Sequence, residues 1–182
     1  MTLENRDELA GVLRRADRLG EVFARHAYGM RAWVDLFSVR VPDAADPETK
    51  ALFAGIVADN ARHMLLFRAR ARAHGIDPDA YRPPLEGDRI YERIPALRGV
   101  APLAGYAAGS LEHFLQLLDV YRTASADPED LAVLDRVIAD TRRSLAALRP
   151  LAGAEGDAAA AEAHELYRRR EHVEAPRYAH AG

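Results

Sequence analysis

Asp59-Asn60-Ala61-Arg62-His63 sits in the middle of a long apolar-periodic run, and Asp140-Thr141-Arg142-Arg143-Ser144 repeats it 81 positions later. The correspondence extends upstream without a gap. Asp46-Pro47-Glu48 returns as Asp127-Pro128-Glu129, and Ile56-Val57-Ala58-Asp59 returns as Val137-Ile138-Ala139-Asp140. Over 46–63 against 127–144, seven of eighteen positions are identical and most apolar sites stay apolar. Similarity at one fixed offset marks a repeated supersecondary unit, read here as a duplicated helix pair. Where the second copy departs from the first, Asn60 to Thr141 and His63 to Ser144, the change falls at the centre of that pseudo-symmetry.

Working outward, each copy has a legible start. Asp46 and Asp127 are N-cap residues, each followed by Pro at the first helical position and Glu in the first turn. The second predicted helix runs from Asp46 to about His74 and stops at Gly75. The first precedes it. Leu9, Val12, Ala16, Leu19, Phe23, Ala27, Met30, Val34 and Phe37 keep an unbroken 3–4 spacing, which predicts one long helix ended by Pro42. Residues 75–100 hold Pro78, Pro83, Pro84, Gly87, Pro95 and Gly99 and show no sustained period. A connection of that length can run back along a whole helix, with Tyr91 and Ile94 to pack it down. A third helix follows over 101–124, and the fourth ends at Arg149-Pro150. After a linker over 151–156, an Ala-rich stretch predicts a C-terminal helix over 157–173, with a tail to Gly182.

A chain of 182 residues is read as a single domain, with its helical core over 5–150, and buries roughly 70% of its unfolded surface. The net charge of −3 argues against general attraction to nucleic acid or an acidic membrane. The absence of cysteine excludes disulfides, iron–sulfur clusters, thiolate zinc sites and a cysteine nucleophile. Met1 to Asp7 is polar and lacks the apolar core of a signal peptide, so a cytoplasmic location is expected.

Two antiparallel helix pairs joined by a long crossover, with D-x-x-R-H in the second helix, resemble the ferritin-like superfamily of rubrerythrins and ferritins. The resemblance implies an all-α four-helix bundle. It also implies two irons held by a Glu-x-x-His pair on each of the second and fourth helices and a Glu on each of the first and third. Carrying the motif over puts Asn60 and His63 at the second-helix positions and Thr141 and Ser144 at the fourth. For the first helix, Glu21 is a candidate but lies about 160° from Phe23 on the helical wheel, whereas His26 lies about 60° away within the apolar stripe. His26 stands 34 residues before Asn60, near the family's own spacing, and the repeat carries it to Ala107. Glu112 lies about 160° from Phe114 and faces outward. The six ligand positions therefore read His26, Asn60, His63, Ala107, Thr141 and Ser144, with no carboxylate, so a standard di-iron oxidase is not expected.

Two uses of this centre follow. His26 and His63 are candidate catalytic residues if they meet across the first two helices, as an acid–base pair or as ligands of one divalent metal, with iron the family's precedent. Otherwise they are core histidines hydrogen-bonded to Asn60, Thr141 or Ser144. Loss of the large ligands also frees volume, and Trp33, Phe67 and Phe114, with Phe23 and Tyr121, could line a pocket for a small organic molecule with Asn60, Ala107, Thr141 and Ser144; equally, they could refill the core. Asp59 and Asp140 are expected to pair with arginines of neighbouring helices. Arg68, Arg70, Arg72 and His74, like Arg168 to Arg170, read as solvated helix ends. His164, His172 and His180 are weaker ligand candidates. The leading expectation is a diverged bundle binding a small organic molecule, with metal-independent acid–base chemistry. The alternatives are a metal-dependent, oxygen-using oxidase, with Glu21 and Glu112 as ligands if the helical phase differs, and a non-catalytic structural or stress-related protein. Such bundles pair through helix faces, which makes a homodimer a further expectation.

Overall fold

The computed structural model describes residues 5–15, 18–82 and 89–168. The fold is all-α, with helices α1 (Arg6–Arg15), α2 (Leu19–Ser38), α3 (Pro47–Ala73), α4 (Arg89–Arg93), α5 (Val100–Ala124) and α6 (Pro128–Arg168). No helix among the described residues is long and apolar enough to cross a membrane.

The two Asp-Pro-Glu starts are real helix starts. The Thr49 backbone N–H donates to Asp46 Oδ1 at 2.7 Å, and the Glu129 N–H donates to Asp127 Oδ1 at 2.8 Å. Each bond satisfies a backbone donor that the helix itself leaves open. α3 closes at Gly75, whose φ of 75° a side chain would oppose.

α2 and α3 form one antiparallel hairpin, and α5 with the first part of α6 forms another. Arg70 reaches Asp130 and His63 reaches Asp140, so α3 and α6 are also antiparallel and α3 runs parallel to α5. The connection between α3 and α5 must therefore return along the molecule. It does: Arg40, at the end of α2, donates to the Ile94 carbonyl at 3.1 Å, and Ile94 and Leu97 are buried.

Two predicted elements are corrected. The first helix is two helices, because the Arg18 N–H turns back to the Leu13 carbonyl and α2 starts afresh at Leu19. The apolar spacing survives the break because Leu9, Leu13, Leu19 and Phe23 all enter one cluster. Spacing reports the buried face, not the continuity of the hydrogen-bond ladder. The break predicted after Arg149-Pro150 is present, but it lies a few residues further on and is tighter than a linker over 151–156. α6 continues past Pro150 and reverses at Gly153, with φ 54° and ψ −167°. Beyond it, Gly156 abuts Gly105, Ala160 abuts Gly109 and Tyr167 stacks on His113, so this arm runs parallel to α5. The predicted 157–173 helix is this arm, described as far as Arg168; the tail, His172 and His180 lie outside the described residues.

The core has two parts. One gathers Leu9, Leu13, Phe23, Phe67, Phe114, Leu118 and Leu134; the other gathers Trp33, Phe37, Phe53, Ile94, Leu103, Tyr106 and Leu148.

Candidate functional site

Where the two core clusters meet, packing is incomplete. A partly open cavity of about 50 Å³ lies between α2, α3, α5 and α6. Its apolar wall is Met30 and Trp33 from α2, Ile56 from α3, Ala107, Phe114 and Leu117 from α5, and Leu148 from α6. Its polar groups are Arg25 and His26 from α2, Asn60 from α3, Ser110 from α5, Tyr91 from α4 and Tyr167 from the α6 arm. Gly29 makes room for Tyr91: a Cβ there would stand 2.6 Å from the Tyr91 hydroxyl oxygen. By the usual allowance for one water, this space takes roughly three to five waters.

His26 is half-buried among Phe67, Phe114 and Tyr121, with ring centroids 5.2 to 5.8 Å away. Its Nε2 is 2.9 Å from the Tyr121 hydroxyl, a pairing that joins α2 to α5. The wheel argument placed His26 inward, and it lines the cavity. Asn60 is nine-tenths buried and its Nδ2 donates to the Ile56 carbonyl at 3.0 Å.

His63 is elsewhere. It does not line the cavity or meet His26. Its Nε2 is 3.0 Å from Asp140 Oδ2, so the expected partners Asn60, Thr141 and Ser144 are replaced by a carboxylate from α6. Burial pushes the His63 imidazole below its ordinary value, against the opposing pull of Asp140. Burial pushes Asp140 up, but hydrogen bonds from His63 and Arg143 outweigh it and hold the carboxyl below its usual range. The neutral imidazole therefore donates Nε2–H to the carboxylate. Asp59 and Asp140 pair with Arg62 and Arg143 three residues on in their own helices, not with arginines of neighbouring helices, because i and i+3 share a face.

Of the remaining predicted lining, Trp33, Ala107 and Phe114 face the cavity. Phe67 is fully buried against Phe23, Thr141 is buried, Ser144 is half-buried, and none of the three lines it. Glu21 pairs with Arg18, and Glu112 pairs with Arg149 and His164; neither reaches the cavity. Ser110, Tyr91, Tyr167 and Arg25 were not singled out as site residues. Ser110 did carry a signal, as the polar member of an otherwise apolar stripe.

The donor set does not fit a di-iron pair. The cavity wall has one histidine, one carboxamide and no carboxylate, and neutral donors cannot balance two ferrous ions. Among the described residues, metal-binding groups converge in threes only at His74, Asp127 and Asp130. There the Arg70 guanidinium already engages Asp127 at 2.7 Å and Asp130 at 2.6 Å. Arg70 is thus a buried tie and not part of a solvated helix end. Arg68 is likewise engaged, in a two-bond pair with Asp79.

No family model, curated protein or solved structure matches the chain.

Proposed function

We propose that this chain is a diverged ferritin-like four-helix bundle that has given up the di-iron centre and holds a small organic molecule in the vacated space. The observation that carries the reading is the cavity at the junction of the two core clusters, in which His26, Trp33, Asn60, Ala107 and Phe114 converge. Two antiparallel hairpins, a long connection and paired Asp-Pro-Glu caps support the bundle and its duplication. The absence of wall carboxylates favours a metal-free site over the oxidase alternative. Any acid–base chemistry rests on His26 with Tyr121, since His63 is committed to Asp140. The imidazole touches the cavity and is bonded to a phenol, the arrangement that a proton donor or acceptor requires.

Trp33 is the one tryptophan of the chain and stands in the cavity wall, so its fluorescence reports occupancy. Titration with small neutral ring compounds is expected to give a saturable change in Trp33 emission. Ala107→Phe places a ring in the same space and is expected to abolish that change while leaving the helical circular dichroism intact. No saturable change with any ring in the native chain would remove the binding reading.

A further inference from the structure

α3 is buried on one side and bare on the other, and its bare side is not the charged one that a solvated helix presents. Phe53, Ile56, Asn60, His63, Phe67 and Arg70 face inward and are buried. Between Ala51 and Ala69 on the opposite side, the exposed residues are Ala54, Gly55, Ala58, Arg62 and Leu65, with one charge among them. That charge, Arg62, is turned onto Asp59 three residues back in its own helix. Leu65 is 61% exposed, and among the described large apolar side chains only Val39 stands further out. A Cβ on Gly55 would meet nothing within 4 Å, so among the described residues nothing covers the helix at that level. An apolar helix face held out in water by the fold marks a surface that meets a partner.

The order of residues on that face says which partner. Counted from Asn60, Glu48 and Arg72 lie twelve residues to either side, Ala51 and Ala69 nine, and Gly55 and Leu65 five. Reversing the helix about that level sets an acid on a base, alanine on alanine, and the protruding leucine over a glycine. We propose that this face of α3 docks on the same face of a second copy of the chain, the two helices antiparallel about a two-fold axis at the level of Asn60. Each contact then occurs twice, as an isologous interface requires. Leu65 of one copy enters the space over Ala54 and Gly55 of the other, where short side chains let the helices approach. At the ends Glu48 of each copy meets Arg72 of the other. Glu48 is exposed and has no ion pair among the described residues, while Arg72 is 58% exposed and stands 3.6 Å from Asp79. A parallel pairing would instead set arginine on arginine and leucine on leucine, which like charge opposes. One face of a 27-residue helix is a strip roughly 40 Å long. A contact of that size falls toward the low end of specific interfaces, so the dimer is expected to be reversible.

Sedimentation velocity of the full chain across micromolar concentrations is expected to show a monomer passing into a dimer and no larger species. Leu65→Glu is expected to keep the helical circular dichroism and to weaken the association by about tenfold or more, since it puts two like charges into the contact. The register has its own test, because the native chain has no cysteine. Ala51→Cys chains mixed with Ala69→Cys chains are expected to form an intermolecular disulfide on mild oxidation, and neither variant to do so at a comparable rate alone. If Leu65→Glu fails to fold, the cysteine pair decides. A native chain that stays monomeric at every concentration would overturn the proposal. So would a dimer that Leu65→Glu leaves equally tight, which would place the contact on another face. A dimer whose mixed cysteine variants link no faster than either alone would overturn the antiparallel arrangement, and the proposal with it.

Discussion

His63 and Asp140 show how one pair can be read in two ways from the same letters. On the sequence, His63 is the histidine of a metal motif; in the fold, Asp140 reaches it from the repeat and makes it a structural donor. The pair predicts a pH dependence whose sign follows from the depressed imidazole. The folded state binds fewer protons than the unfolded chain, so His63 contributes stability that is present above its ordinary value of 6.5 and is lost as pH falls below it. Asp140, also depressed, loses its contribution further down, below 3.8. His63→Leu is expected to destabilise the chain by roughly 1.5–3 kcal/mol at pH 7.5, the range for a hydrogen bond to a charged group. The gap between variant and native chain should narrow by pH 5, where the native chain has lost part of the term. Urea unfolding at the two pH values checks both statements, and a gap that widens on acidification would contradict the assignment. The inward face of His26 was legible because helical phase is a local property of spacing. The His63 partner was not, since it depends on the register of two helices 77 residues apart in the chain.

At the scale of elements, the caps of α3 and α6 were readable because they are built from adjacent residues. The break before the C-terminal arm was also readable, though it falls at Gly153 and not at Pro150. The arm's destination was not, because it depends on its fit to α5. That fit is made of missing side chains. A Cβ on Gly105 would lie 2.1 Å from the Gly156 carbonyl oxygen, and one on Gly109 would lie 2.7 Å from the Ala160 carbonyl oxygen, both in backbone that cannot swing aside. Gly105→Ala is therefore expected to push the arm off α5 and to destabilise by about 1–3 kcal/mol, the usual range for overpacking. Gly55 is the counter-case. It lies exposed within α3, and a Cβ there meets nothing within 4 Å. Gly55→Ala should stabilise by roughly 0.5–1 kcal/mol, since alanine has less backbone freedom to lose. Thermal unfolding of the two variants should shift the midpoint in opposite directions, and equal shifts would show that the close approach of α5 and the arm has no energetic weight.

For the whole molecule, the question is what holds two helix hairpins in register around an imperfect core. The cavity lies between helices of both hairpins, so part of the apolar contact that would fix the register is absent there. The compensating tie is at the far end, where α3 finishes and α6 begins. Arg70 is buried, donates to Asp130 at 2.6 Å and Asp127 at 2.7 Å, and also bonds Glu129. Asp130 is fully buried and takes further bonds from His74 and Ser125. Burial pulls the Arg70 guanidinium down, but Asp130 and the neighbouring acids outweigh it, so the cation is fixed across the accessible pH range. Removing Arg70 leaves Asp130 buried without its counter-charge, while Asp127 and Glu129 remain in reach of solvent. Arg70→Ala is expected to destabilise by roughly 3–5 kcal/mol, little relieved by salt because Arg70 and Asp130 are both buried. Arg122 pairs with Asp135 at 2.6 Å across the α5–α6 hairpin, but both side chains are more than half exposed. Arg122→Ala should leave the unfolding midpoint nearly unchanged, since an exposed pair gains little over its separate hydration. Denaturation in urea at low and high sodium chloride separates the two. If the Arg70 and Arg122 variants lost stability equally, the register of the hairpins would have to come from apolar packing alone, and the cavity would then be bounded by a rigid core with no distant tie.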